Sequence, residues 1–131
     1  MPLVLRTLLK AEAQHGTPNE VCGVLGGTWH GWVGYAKCYI AVPNCSSAPH
    51  SHFVMEHSAM VAAAMALRRA RYDLIGIYHS HPHSAPVPSP ADLAECTWHA
   101  TPYVIVGYAA VQPLLAAWLI EGTNFTHLPL I

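Results

Sequence analysis

Two histidines and an aspartate in the second half of the chain have the types and spacing of metal ligands. His79 and His81 end an apolar, strand-like run, and Asp92 follows them. Alternate residues of a strand point to the same face with Cα atoms roughly 6–7 Å apart, so both imidazoles can converge on one ion. Two imidazoles and a carboxylate can form a catalytic zinc site with one position left for water. Such a site can lower the pKa of water to about 7 and polarise a carbonyl.

The segment from Ser89 to Asp92, SPAD, also has a purely structural interpretation. Serine is a favoured helix N-cap, proline suits the first helical position, and an acid in the first turn interacts well with the helix dipole. The two interpretations are compatible, because a helix N-terminus lowers the pKa of Asp92 and keeps it ionised for coordination. The prolines from Pro82 to Pro88 restrict the connecting loop and reduce the entropy lost in forming the site.

A hydrolytic site also needs a general base that is not itself a metal ligand. Among the seven acidic residues, Glu95 lies on the same predicted helix as Asp92 and is a candidate. Glu20 opens an apolar strand, where a solvated acid is an equally good interpretation, and spacing alone does not place it near the histidines. Glu12 lies on a peripheral helix and Asp73 at the far end of the histidine strand, so neither is expected at the site.

The surrounding pattern predicts one sheet packed by helices, an α/β (α+β) fold. The histidine strand is apolar on both faces, which is typical of an interior strand, and alternation places Ile75, Ile77, His79 and His81 on one face. The predicted helices are Leu3 to Gln14, His57 to Arg71 and about Pro90 to His99. The predicted strands are Val21 to Gly27, Trp32 to Val42, Asp73 to His81, Tyr103 to Tyr108 and Leu114 to Glu121, with shorter ones at Phe53 to Glu56 and within Gly122 to Ile131.

Composition narrows the class of protein. The 131 residues suit one domain, and a chain that is 53% hydrophobic and 10% charged is not disordered. A net charge of -1 with six Lys and Arg predicts no nucleic-acid partner. The sequence predicts no signal peptide and no membrane partner, because its apolar runs are short or interrupted by charge. Four scattered cysteines predict reduced thiols and a cytoplasmic protein.

The same residues resemble a known family. The stretch from His79 to Pro82 and the stretch from Ser89 to Asp92 fit the H-x-H-P-x(6)-S-x(2)-D pattern of JAMM (MPN+) metalloproteases. The run EVCGVLGG, which begins at Glu20, resembles the family's upstream segment with its glutamate. Pro43-Asn44 and the Phe53 to Arg71 stretch resemble the intervening part, so the likeness covers nearly the whole chain. His83 is an added imidazole near the pattern, and the sequence does not decide whether it perturbs the site.

The resemblance implies a single JAMM/MPN+ metalloprotease domain over residues 1–131. It implies a curved mixed β-sheet flanked by helices, similar to the cytidine deaminase architecture. It also implies one Zn²⁺ per chain, held by His79, His81 and Asp92. Glu20 would be the general base for a zinc-activated water, and Ser89 would stabilise the oxyanion.

The resemblance further implies a substrate. The chain is similar to short, stand-alone prokaryotic members, which hydrolyse an amide bond after the C-terminal Gly-Gly of a small ubiquitin-like or sulfur-carrier protein. The alternative is a non-catalytic MPN-type module that binds a ubiquitin-like partner. A zinc deaminase is disfavoured because the H-x-E…P-C-x-x-C signature is missing. The high apolar fraction favours a homodimer.

Overall fold

The computed structural model describes all residues from Met1 to Ile131. It contains three helices and six strands. In chain order these are α1 (Leu3–Gly16), β1 (Cys22–His30), β2 (Val33–Val42), α2 (His57–Arg69), β3 (Asp73–Ser80), α3 (Pro90–Glu95), β4 (Tyr103–Gly107), β5 (Leu114–Glu121) and β6 (Asn124–Leu128). No helix is both long enough and apolar enough to span a membrane.

All six strands join one mixed sheet in the order β2-β1-β3-β4-β5-β6. β3 and β4 are parallel, and every other neighbouring pair is antiparallel. A parallel pair needs a crossover connection, and the loop with α3 supplies it here. The predicted fold class is therefore confirmed, and β3 is an interior strand as expected.

Two apolar clusters cover the two faces of the sheet. On one face Leu5 and Leu9 of α1 pack with Leu25 and Tyr78. On the other face α2 packs against a cluster that includes Val24 and Ile77. Neighbouring residues of β1 and β3 therefore belong to different clusters, as expected for strands buried on both faces.

The predicted face of Ile75 is wrong. The register between β1 and β3 shifts, so that Leu25 pairs with Gly76 while Gly26 pairs with Leu74. Ile75 is left between these pairs and joins the cluster of Leu25 rather than that of Ile77. A bulge adds one unpaired residue to a strand, so side chains before it point to the opposite face from the one that simple alternation predicts. The alternation beyond it is intact, so Ile77 and His79 still share a face.

Most predicted boundaries agree with the structure to within two residues, and three elements differ by more. The helix predicted to reach His99 ends at Glu95, because the next residue is extended with φ -64° and ψ 119°. β1 continues to His30, where Gly31 forms the turn with φ 62°. The strand predicted at Phe53 to Glu56 is reduced to one bridge, between Asn44 and Met55.

Candidate metal centre

The site forms where the end of β3 meets the start of α3. His79 lies in β3, with β1 on one side and β4 on the other. His81 follows the strand and remains attached to the sheet, because its backbone N–H donates to the carbonyl of Val106 at 2.8 Å. Asp92 lies in the first turn of α3. The sheet therefore fixes both histidines, and the helix N-terminus presents the acid to them.

The three predicted ligands converge through single atoms. The Nε2 atoms of His79 and His81 are 3.1 Å apart. The Oδ2 atom of Asp92 is 3.1 Å from the first Nε2 and 3.0 Å from the second. All three side chains are buried. The result is a nearly equilateral triangle of two nitrogens and one oxygen.

This triangle fits a tetrahedral ion. With metal–ligand bonds of about 2.0–2.1 Å, a tetrahedral zinc separates its ligand atoms by roughly 3.3–3.4 Å. The observed 3.0–3.1 Å between the atoms of His79, His81 and Asp92 therefore requires only a small expansion. The three residues could hold a metal ion by chemistry and by spacing.

The loop between β3 and α3 sets the orientation of the His81 ring. Its Nδ1 is 2.9 Å from the carbonyl oxygen of Ala85, which can only accept a hydrogen bond, so Nδ1 donates and Nε2 is the ring nitrogen that faces the cluster. Nε2 could bind a metal ion after it releases its proton. The loop is anchored to the sheet, because Trp118 donates to the carbonyl of Pro86 at 2.8 Å. At Gly107 an added Cβ would lie 2.6 Å from backbone atoms of this loop, so glycine permits the close approach.

The pKa values of the two imidazoles shift in opposite directions. His79 is fully buried, and desolvation lowers its pKa despite the nearby carboxylate, so the ring stays neutral as a metal ligand requires. Its Nδ1 has no partner. Phe53 stacks on the ring with centroids 4.3 Å apart and an interplanar angle of 21°. Desolvation also acts on His81, but hydrogen bonds to Asp92 and Ala85 outweigh it and raise the pKa of that imidazole.

Asp92 is held by its neighbours as an acceptor. Its Oδ2 accepts the backbone N–H of Ser89 at 2.9 Å, and its own N–H donates to the Ser89 hydroxyl at 3.1 Å, which completes a capping box. Burial opposes ionisation, but hydrogen bonds from His79 and His81 outweigh it and hold the pKa of Asp92 well below its usual range. The carboxylate is therefore ionised and directed at the cluster.

The antiparallel register of β1 and β3 brings Glu20 to the same end of the sheet. Cys22 pairs with His79. One position further, Val21 and Ser80 exchange two hydrogen bonds, from Val21 N–H to the hydroxyl at 2.9 Å and from Ser80 N–H to the carbonyl at 3.0 Å. The same register places Glu20 across from His81. Spacing along the chain could not reveal this proximity, because the register joins residues 59 positions apart.

The Glu20 side chain is buried and only 5% exposed, so the interpretation of a solvated strand-start acid is wrong. Its Oε1 has no hydrogen-bond partner. Burial raises the pKa of Glu20 to about 8, and of the nearby charges His81 lowers it while Asp92 and Glu95 raise it. A buried carboxyl that has an unpartnered oxygen and lies beside His81 is a typical feature of a functional site.

We expect the stability of the metal-free protein to report this raised pKa. The folded state binds the Glu20 proton more tightly than the unfolded chain, so Glu20 lowers the free energy of unfolding as pH rises from 4.5 to about 8. The Glu20→Gln variant lacks this proton. Relative to the wild type, it should gain on the order of 3 kcal/mol between pH 5 and pH 8 in urea unfolding of chelator-treated protein. If the free energy of unfolding changed with pH equally in the two proteins, the raised pKa of Glu20 would be contradicted.

Ser89 serves as the N-cap of α3, and its hydroxyl proton is not donated to any protein group. It can therefore cap the helix and still donate to a substrate oxygen. If it does both, Ser89→Ala should lower turnover by about 10²–10³-fold and stability by about 1 kcal/mol, while Ser89→Thr retains both functions. Steady-state kinetics and thermal unfolding separate the effects. Loss of stability with wild-type turnover would leave capping as its sole function.

Neither the other acids considered nor the extra imidazole contributes a ligand atom to the cluster. Glu95 is half exposed on α3, with its carboxylate 3.6 Å from His52. Glu12 accepts the hydroxyl of Tyr78 at 2.8 Å. His83 is exposed and does not belong to the cluster of ligand atoms.

A cavity of about 520 Å³ adjoins the cluster, and Asp92 is part of its wall. Most of the lining is apolar or aromatic. The lining includes the segment Phe53 to Met55 together with Glu95 and Trp98. Since Phe53 also stacks on His79, the cavity and the cluster share a boundary. A ligand in this cavity would lie against the candidate metal centre.

Two contributors to the site were missed from the sequence. Phe53 had only a weak strand signal, and nothing in its local pattern indicates an aromatic packed on a ligand. Ala85 acts through its carbonyl, which no side-chain pattern reports. The proline-rich loop was the available signal, since it predicted a fixed return path without identifying the contact.

Comparison with known proteins finds two relatives by sequence and a solved structure with the same fold. A protein from Thermus thermophilus named as a probable TtuB-protein conjugate cleaving protease is 38% identical over 117 residues, which cover 86% of this chain and 74% of that protein. A desampylase from Haloferax volcanii is 35% identical over 67% of this chain and 62% of its own length. The solution structure of a protein from Desulfitobacterium hafniense superposes with a TM-score of 0.89 at 25% identity, over 98% of this chain and 88% of that one.

The family model described as prokaryotic homologs of the JAB domain matches residues 2–121. The match spans every element from α1 to β5, including the histidine strand and the acid-bearing helix. The chain belongs to this family of prokaryotic JAB-domain proteins, as the JAMM-type pattern from His79 to Asp92 predicted.

Proposed function

We propose that the protein is a zinc-dependent isopeptidase that hydrolyses the amide bond after the C-terminal Gly-Gly of a small ubiquitin-like or sulfur-carrier protein. The observation that supports this most is the convergence of His79, His81 and Asp92 beside a cavity, with no fourth side chain in the cluster of ligand atoms. The names of the relatives from T. thermophilus and H. volcanii support the substrate class.

His79, His81 and Asp92 would hold one zinc ion per chain. Two imidazole nitrogens and a carboxylate oxygen suit zinc among the common divalent ions. When bound, zinc supplies Lewis-acid polarisation of a carbonyl and a water nucleophile available near neutral pH.

Glu20 would accept the proton of the attacking water and return it to the leaving amine. This requires a carboxylate, and a cation held by the neighbouring ligands would lower the raised pKa of Glu20. The Ser89 hydroxyl would donate to the oxygen that becomes negative during attack. Two observations support these assignments. The Glu20 Oε1 atom has no hydrogen-bond partner, and the Ser89 hydroxyl proton is not donated within the protein.

The segment from Phe53 to Met55 offers an edge for an extended tail. Val54 accepts from Cys45 N–H at 2.9 Å, and Glu56 N–H donates to the Pro43 carbonyl at 2.9 Å. Alternation then directs the backbone groups of Phe53 and Met55 to the other edge, where they form no hydrogen bond within the protein. A substrate tail could add there as a strand, and glycines would let it pass close to the metal centre.

The test is mass spectrometry of candidate Gly-Gly-tailed carriers, conjugated through their tails and incubated with the zinc-loaded protein. We expect release of the free Gly-Gly terminus, abolished by a chelator and restored by added zinc. Intact conjugates after incubation with several such carriers would reject the peptidase. Binding of a carrier without turnover would support the non-catalytic module instead.

A further inference from the structure

Asn44 joins the segment before β1 to the wall of the cavity through four hydrogen bonds. Its amide nitrogen donates to the carbonyls of Glu20 at 2.9 Å and His52 at 3.0 Å. Its side-chain oxygen accepts the N–H groups of Ser46 at 3.1 Å and Val54 at 3.0 Å. An asparagine side chain has two donor hydrogens and two acceptor lone pairs, so its whole capacity is used.

The segment that contains Glu20 depends more on the Asn44 side chain than the cavity wall does. The cavity wall keeps the backbone bonds that join it to Pro43 and Cys45 if the Asn44 side chain is lost. The carbonyl of Glu20 has no other partner than the Asn44 amide. The remaining backbone bond of Glu20, from its N–H to the carbonyl of Pro49 at 2.7 Å, also goes to the loop that Asn44 organises.

Building on the proposed function, we propose that Asn44 is a positioning residue that holds the Glu20 backbone in register with the metal centre and thereby sets the rate of turnover. Asn44 touches neither the predicted ligands nor the cavity, so it acts through Glu20. A misplacement of about 1 Å can cost on the order of 10²-fold in rate without removing any reacting group.

The first test is the kinetics of Asn44→Ala. We expect kcat to fall by about 10–100-fold with KM changed less than about threefold and zinc content still one ion per chain. Ser46→Ala is the matched control, because it removes a hydrogen bond to Ala48 within the same loop but none to Glu20. Its kcat should match that of the wild type. An Asn44→Ala enzyme with wild-type kcat would overturn the inference.

A double-mutant cycle separates positioning from general support of the fold. If Asn44 acts through Glu20, adding Asn44→Ala to Glu20→Gln should lower the residual rate no further. An equal loss in both backgrounds would mean a merely structural role and would overturn the inference. Should Asn44→Ala fail to fold, Asn44→Asp replaces it, since Asp keeps the acceptors for Ser46 and Val54 but loses both donors.

Amide hydrogen exchange gives a readout that does not depend on activity. The N–H of Glu20 bonds to Pro49 and not to Asn44, so deleting the Asn44 side chain removes no bond from it directly. We expect its exchange to accelerate at least about tenfold in Asn44→Ala and not in Ser46→Ala. Unchanged exchange would overturn the inference whether or not the wild type cleaves. A wild type that cleaves nothing, with faster exchange in Asn44→Ala, would reject the proposed function and leave Asn44 as a residue that positions the Glu20 backbone.

Discussion

Replacing Glu20 by glutamine is expected to lower turnover of a Gly-Gly-linked substrate by about 10²–10⁴-fold. Glutamine has nearly the same shape but cannot accept the proton of the attacking water. The ligands His79, His81 and Asp92 are untouched, so zinc content should remain one ion per chain. Single-turnover cleavage and metal analysis of the same preparation measure the two quantities together.

Glu95→Gln is the informative comparison, because Glu95 is the other acid near the cluster. Its side chain is half exposed and faces His52, so we expect a change of less than about tenfold. A large loss in Glu95→Gln with full activity in Glu20→Gln would reverse the assignment of the base. Loss of zinc from Glu20→Gln would instead indicate that Glu20 helps to hold the ion.

Local spacing pointed to the three candidate ligands, because the position of each depends on one element. Two histidines at alternate strand positions share a face, and an acid three residues after an N-cap lies in the first helical turn. These rules place His79, His81 and Asp92 without knowledge of the rest of the chain. The convergence of their atoms within about 3.1 Å follows from how β3 and α3 meet.

The position of Glu20 could not be predicted from spacing along the chain. Its place beside His81 depends on the register between β1 and β3, which is set by packing across the sheet and not by any local pattern. Only the resemblance to JAMM proteins suggested its role. For Ile75 a local rule gave the wrong face, because simple alternation does not include the bulge that moves this residue to the other side of the sheet. Asn44 and Ala85 act through backbone contacts that depend on the folded loops.

Replacing His81 by alanine is expected to abolish both metal binding and turnover. The variant keeps two ligands, His79 and Asp92, and loses the imidazole whose orientation the Ala85 carbonyl fixes. Zinc affinity should fall by more than about 100-fold, beyond the usual effect of losing an outer-shell partner. Equilibrium dialysis with elemental analysis measures this directly.

His83→Ala provides the matched control, because it removes an imidazole two positions away that is exposed and outside the cluster. Zinc at about 100 times its Kd should stabilise the wild type and His83→Ala by about 2.7 kcal/mol and leave His81→Ala unchanged. The two variants differ in the position of the lost imidazole and not in histidine content, since each loses one ring from the same stretch. Equal zinc stabilisation of all three proteins would mean that the ion binds elsewhere. The assignment of the zinc site to the end of β3 and the start of α3 would then be rejected.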